Sequence, residues 1–210
     1  MRTSGFIGVS FFILLMTGCA VGNQYDYRRA EIALPVAGGG TVGMGVLENR
    51  EYVLSGEKKP DFVGLQRGGF GNPFDVTTAS GDGFTSDLAD ALEKGLRDSG
   101  FAVKRLQITS PGASAVQAEI GKNGETRNIV LTVNEWKTDI YMDMNLHFDL
   151  FLEVVSRDGQ ILASNRISGE EKVSGAAMSA DKNSRLAESA LETKIGRLFN
   201  KPEIINALRI

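Results

Sequence analysis

Few side chains in this chain are equipped for chemistry: its 210 residues include one cysteine, Cys19, and one histidine, His147. A thiolate is a strong nucleophile and a soft metal ligand. Cys19, however, ends the apolar run FIGVSFFILLM (residues 6–16) and its sequel TGC. No second thiol is present for a disulfide or a thiolate metal site. His147 lies between Leu146 and Phe148, on the polar side of an alternating segment, with Asp149 two residues on and so on its own face. A Ser-His-Asp site needs a serine elbow such as G-x-S-x-G, which the sequence lacks. A metal site built on His147 with Asp143, Asp149 or Glu153 has no second histidine or thiolate to close it. GGGTVG at 38–43 has the letters of a dinucleotide fingerprint, but the glycine-rich, β-like GMGVLENREYV follows it in place of a helix. The residues therefore predict no enzyme, no metal and no cofactor.

What precedes Cys19 gives it a different use. Met1-Arg2 makes a positive amino-terminal end, and the uncharged run that follows is far shorter than the ~20 apolar residues a spanning helix needs. That is the layout of a cleaved secretory signal. Leu15-Met16-Thr17-Gly18-Cys19 resembles the lipobox of bacterial lipoproteins, with Met16 where leucine is usual. The resemblance implies a diacylglycerol thioether on the Cys19 sulfur, cleavage before Cys19 and acylation of the new amino terminus. At roughly 0.8 kcal/mol per buried methylene, such chains hold a protein on a membrane where a single chain would not. Ala20, in place of a retention aspartate, points to the inner leaflet of the outer membrane.

Three regions are expected: a lipoprotein signal peptide at 1–18, a lipidated tether at 19–30 and a single periplasmic domain at 31–210. Removing 18 residues from 210 leaves 192, enough for one ordinary core. With 23 basic and 26 acidic residues, the charge does not suit a partner gripped through phosphates, so no nucleic acid is expected. The tether AVGNQYDYRRA is polar, with Arg28 and Arg29 as solvated linker charges, and its eleven residues reach at most about 40 Å.

The elements of the domain follow from hydrophobic period. Val42, Met44 and Val46 alternate as in a strand, and residues 55–83 carry three turn-rich clusters around DFVGL and FDVTT. Phe62, Phe70 and Phe74 stand among those loops, as core anchors or as a docking surface. TSDLADALEKGLRDSG reads as a helix capped by Thr85 or Ser86 and stopped by Gly100, followed by the strand FAVKRLQI. ASAVQAEIGKNG reads as a short helix or an irregular piece. Segments 128–142, 146–155 and 160–173 form three antiparallel strands. Leu146, Phe148, Leu150, Leu152 and Val154 make one apolar face, and Asp158-Gly159 is a two-residue hairpin turn. A final helix begins near Ser179 or Asp181, and PEIINAL adds a last piece. The predicted fold is α+β in two layers: a mixed, largely antiparallel sheet with two main helices packed on one side, and long glycine-rich loops.

ALEKGLRDSGFAV, then LHFDLFLEVVSRDGQILASNRISG, then a long Ala/Leu helix and an Ile-rich end resemble the YajG-type bacterial lipoproteins over most of the chain after Ala30. The resemblance implies an outer-membrane lipoprotein with a periplasmic α/β domain similar to the amino-terminal domain of TolB and to CsgG. It supplies no activity to carry over.

Two functional expectations follow. The first is a non-catalytic adaptor or assembly module, held on the membrane through lipid on Cys19, that binds another envelope protein. Trp136, beside Lys137 and Asp139, and Phe70 are its candidate partner-binding residues, although the core is the default place for a lone tryptophan. The second is a carrier or enzyme acting on lipid or glycan through an apolar cleft under the 55–83 loops.

Overall fold

The computed structural model describes residues 23–108, 112–174 and 179–209. Cys19 and the expected signal peptide lie outside the described residues. Those residues form an α+β fold of eight strands in one mixed sheet and five helices.

One long strand, β6 (Arg127–Ile140), organises the sheet. Along one edge it pairs antiparallel with β7 (Met144–Ser156), which pairs antiparallel with β8 (Ile161–Ser174). The connecting loop is one residue longer than the two-residue turn expected: the Ser156 amide donates to the Gln160 carbonyl, and only Gly159 takes a positive φ, so residues 157–159 form the turn. Two strands share its other edge. β2 (Thr41–Glu48) runs parallel to its first half, from Gly43 opposite Asn128 to Glu48 opposite Val133. β3 (Phe62–Arg67) runs parallel to its last residues, from Gly64 opposite Thr138 to Gln66 opposite Ile140. The sheet therefore forks. One branch adds β5 (Ala102–Arg105) beside β2; the other adds β4 (Pro73–Thr78) antiparallel to β3, and then β1 (Gln24–Tyr25) parallel to β4.

The fork is made where β2 runs out. The Asn49 amide makes a last bond to the Val133 carbonyl at 2.9 Å, and the chain then turns into the short helix α1 (Glu51–Leu54), where the glycine-rich sequence pattern predicts β structure. A β-bulge interrupts the register of β6 between Val133 and Glu135. The extra residue resets the alternation, so that Ile129, Leu131 and Val133 face the core before it, and Trp136 and Ile140 after it.

Arg50 fills the crotch of the fork with no solvent exposure. Its guanidinium donates to the Phe62 carbonyl at 2.6 Å and to the Pro60 carbonyl at 3.2 Å, and it grips both carboxylate oxygens of Glu48, at 2.8 and 2.6 Å. The Phe84 ring centroid lies 5.2 Å from its central carbon. A planar guanidinium carries five donors in a fixed fork, which suits a place where backbone acceptors diverge.

Helices α2 (Phe84–Asp98) and α4 (Ala180–Phe199) cover one face of the sheet, with α5 (Pro202–Ala207) after them. Leu88, Leu92 and Leu96 of α2 and Leu191, Ile195 and Leu198 of α4 meet the inward residues of β6 and β7 in one core. Helix α2 starts directly after Gly83 without a side-chain cap, two or three residues earlier than a cap at Thr85 or Ser86 would place it. Gly100, at φ 94°, ends it as expected. A further helix, α3 (Ala113–Asn123), lies on the other face, where Ile120 packs with Leu47, Leu106, Val130 and Val155.

The expected tether is corrected from Asn23 onward. Tyr25, Tyr27 and Ala30 are fully buried, and β1 with the 3-10 turn Tyr27–Arg29 is built into the domain. The Asp26 amide donates to the Ser184 hydroxyl of α4. Arg28, expected to be a solvated charge, pairs with Asp82, Asp87 and Asp90 around the start of α2 at 2.5 to 2.9 Å. Two tyrosines spaced by two residues outweigh the polar composition around them, because each buries a large ring.

Replacing Arg50 by alanine leaves the Phe62 carbonyl without its buried donor and Glu48 without its partner. The expected result is a loss of about 3 kcal/mol of unfolding free energy, read from urea titration, with the m-value unchanged.

Candidate functional site

Side chains on β6, β7 and β8 that point away from the main core form an open face that α3 covers only in part. Cross-strand pairing puts Phe151 of β7 between Thr132 and Arg166, and Glu153 between Val130 and Ser164. The wall opposite is made by Val116, Gln117 and Ile120 of α3 with Leu47 and Asn49 at the end of β2. Between them runs a trough of about 490 Å³ floored by Thr132, Asn134, Phe151, Glu153 and Val155. Gly159, at φ 80°, closes it at the β7–β8 turn; a side chain there would lie within 3.0 Å of Gln117, so glycine lets turn and helix meet.

The electrostatics of the trough are uneven. Arg166 holds Asp149 by two parallel bonds, at 2.8 and 2.5 Å, and this keeps the Asp149 carboxyl below the usual aspartate range. Asn49 donates to Asn134 at 2.6 Å, which ties the end of β2 to the bulged part of β6. Glu153 has no hydrogen-bond or ion-pair partner among the described residues, and burial pushes its carboxyl up. A floor on which Phe151 and Val155 lie beside one uncompensated carboxylate, next to an arginine already paired, is suited to receiving a side chain that is apolar along its stem and basic at its tip.

The residues singled out from sequence are dispersed. Trp136 is not a surface anchor: it stacks on Phe84 at 5.5 Å with 10° between the planes, and its indole N–H donates to the Tyr27 hydroxyl at 2.9 Å. Its place in the core follows from the bulge, which turns it inward, and it is therefore corrected as a partner-binding residue. Phe70 is fully exposed at the tip of the β3–β4 hairpin. His147 lies on the open face with Nδ1 3.6 Å from Glu170. Among the described residues, no group of three or more His, Cys, Asp and Glu side chains is placed to hold a metal ion. Nor, among those residues, is any helix long and apolar enough to cross a membrane. The trough lies across the sheet from the main helical layer, walled by α3, and not under the 55–83 loops where an apolar cleft was expected. The sequence held one signal for it: Phe151 is an aromatic residue among His147, Asp149 and Glu153 on the polar side of β7.

No family model matches the sequence, and none of the curated proteins matches it. Among solved structures the fold is similar to that of XCC0632 from Xanthomonas campestris, of family model DUF330. The TM-score is 0.52 at 14% identity, over 83% of this chain and 91% of that one. The PelC dodecamer from Paraburkholderia phytofirmans gives a TM-score of 0.44 at 12% identity, over 79% of this chain and 88% of that one. Lipoprotein GNA1162 from Neisseria meningitidis gives 0.32 at 15% identity, over 76% and 99%. At 14% identity the likeness to XCC0632 is one of fold alone.

Because burial raises the Glu153 pKa in the folded state, this carboxyl favours folding below its unfolded pKa, and that contribution is lost as pH rises through its folded pKa. Glu153→Gln is therefore expected to raise the urea midpoint at about pH 7.5 and to leave it close to wild type at about pH 3.5, where both side chains are neutral. An unchanged midpoint at both pH values would show that Glu153 is well solvated.

Proposed function

We propose that this chain is a lipid-anchored lipoprotein of the bacterial cell envelope, acylated on Cys19, of the YajG type and facing the periplasm from the outer membrane. Its domain is a non-catalytic adaptor that binds another envelope protein through the open-face trough. The observation that carries the reading is the pairing of Phe151 with the uncompensated Glu153 in a half-covered trough. Interface anchors are typically aromatic or arginine side chains seated in such pockets, so the partner segment should bring an apolar residue and a lysine or arginine. β8, which pairs with β7 alone among the described residues, leaves a sheet edge beside the trough along which that segment can lie. The lipobox supports the anchor, and the fold likeness to XCC0632 supports the architecture only.

A second reading draws on the same trough: its volume lies within the few hundred Å³ that small ligands occupy, which suits a lipid or glycan carrier. One experiment separates the two. A photo-crosslinking amino acid replaces Phe151 in the full-length protein in cells, and mass spectrometry reads both the mass on Cys19 and the captured neighbour. The adaptor reading expects a triacylated Cys19 and one recurrent envelope protein, with capture reduced about tenfold when Glu153→Gln is added, equivalent to about 1.4 kcal/mol. Capture of lipid or glycan alone would favour the carrier, and an unacylated Cys19 would remove the anchor.

A further inference from the structure

We infer that the paired tips of the β3–β4 and β6–β7 hairpins form a membrane-contact surface that rests on the leaflet holding the Cys19 lipid; the inference depends on the proposed acylation. The β3–β4 turn closes through the Gly68 amide on the Asn72 carbonyl and the Gly71 amide on the Gly68 carbonyl, leaving Phe70 fully exposed at its centre. β3 runs parallel to β6, with Gln66 opposite Ile140, so the turn after β6 lies beside it and presents Tyr141 and Met142, 52% and 74% exposed. Phe74, 36% exposed, stands at the base of the first turn. Phenylalanine, tyrosine and methionine on adjoining turns make an apolar tip with a tyrosine suited to the headgroup level. The charges flanking the tips are neutralised within the protein: Arg67 pairs with Asp139, and Lys172 with Asp143, each at 2.6 Å.

The direction of the chain selects the occupant. β1 runs parallel to β4, with Gln24 opposite Thr77, and the Asn23 side chain donates to Gln66 near the top of β3. The chain therefore enters β1 from the tip side. Cys19 precedes Asn23 by four residues, which span at most about 14 Å. The entry point lies opposite Val76, three strand positions or about 10 Å below Pro73, where the β3–β4 turn begins. A lipidated Cys19 can thus rise little beyond the tips before its leash is taut. With its acyl chains in the leaflet, the tips lie at the leaflet surface, and the β7–β8 turn, a 13-residue strand away, points into the periplasm.

The test uses the full-length acylated protein in phosphatidylethanolamine/phosphatidylglycerol vesicles. Phe70→Cys, Met142→Cys and, at the far end, Asp158→Cys each carry a thiol-linked, polarity-sensitive dye, since the acylated Cys19 sulfur is a thioether and does not react. The expected result is blue-shifted emission at 70 and 142, quenched by nitroxide-bearing lipids at least threefold more than at 158. Protein that floats with the vesicles but gives water-like emission at 70 and 142 would overturn the contact while leaving the anchor intact. Protein that does not float would remove the anchor and the contact together. A blue shift insensitive to lipid quencher and lost on dilution would assign the tips to a second copy of the chain and overturn the membrane contact.

Discussion

A strand that serves two neighbours along one edge must leave backbone acceptors between them, and the Arg50 guanidinium answers that need. Buried carbonyls without donors cost about as much as lost hydrogen bonds, so a fork without a buried cation or water would be destabilised. Arg50 is supplied by the segment that leaves β2, and Glu48, the last residue of β2, neutralises it. The parts of the fork are thus close in sequence although the strands it joins are far apart. Both candidate surfaces hang on it: the β2 branch ends in Leu47 and Asn49, which wall the trough, and the β3 branch carries the hairpin with Phe70 at its tip.

The same junction receives the start of the domain. Phe84 lies between the Arg50 guanidinium and the Trp136 indole, Tyr27 meets Phe84 edge-on at 5.0 Å, and the Tyr27 hydroxyl accepts the indole proton. Burial lifts the Tyr27 pKa well above the ordinary tyrosine value, which favours the neutral phenol. A segment that reads as a linker is thereby fixed to the centre of the sheet, and the distance from the proposed Cys19 lipid to the domain shrinks from the reach of eleven residues to that of four.

What was legible in the sequence was local. The unbroken alternation from Leu146 to Val154 and the Ala/Leu stripe of the last helix each follow from a period that neighbours in sequence impose, and they stand as β7 and α4; the hairpin between β7 and β8 also stands, with a loop one residue longer than Asp158-Gly159 alone. The two-layer fold follows from those faces. The rest depended on distant pairing. Trp136 faces the core because a bulge at Asn134, two residues earlier, resets β6, and no local pattern distinguishes that bulge from an ordinary alternation. Arg28 appears as a free charge until the helix bearing Asp87 and Asp90 is brought beside it. The trough needed three strands and α3 in register, so only Phe151, aromatic on a polar face, marked it in advance.

The central claim is that residues 23–30 belong to the folded domain, which would hold the proposed anchor close against it. Amide hydrogen exchange of the full-length protein, followed at Asp26, Arg29 and Ala30, tests this most directly. Their amides donate to the Ser184 hydroxyl and to the Asp26 and Tyr27 carbonyls. The account predicts exchange far slower than in an unstructured peptide, with protection lost together with that of α2 and α4 as urea is raised. Exchange at the free-peptide rate while β6 and β7 remain protected would contradict it, and would restore the segment to a loose tether.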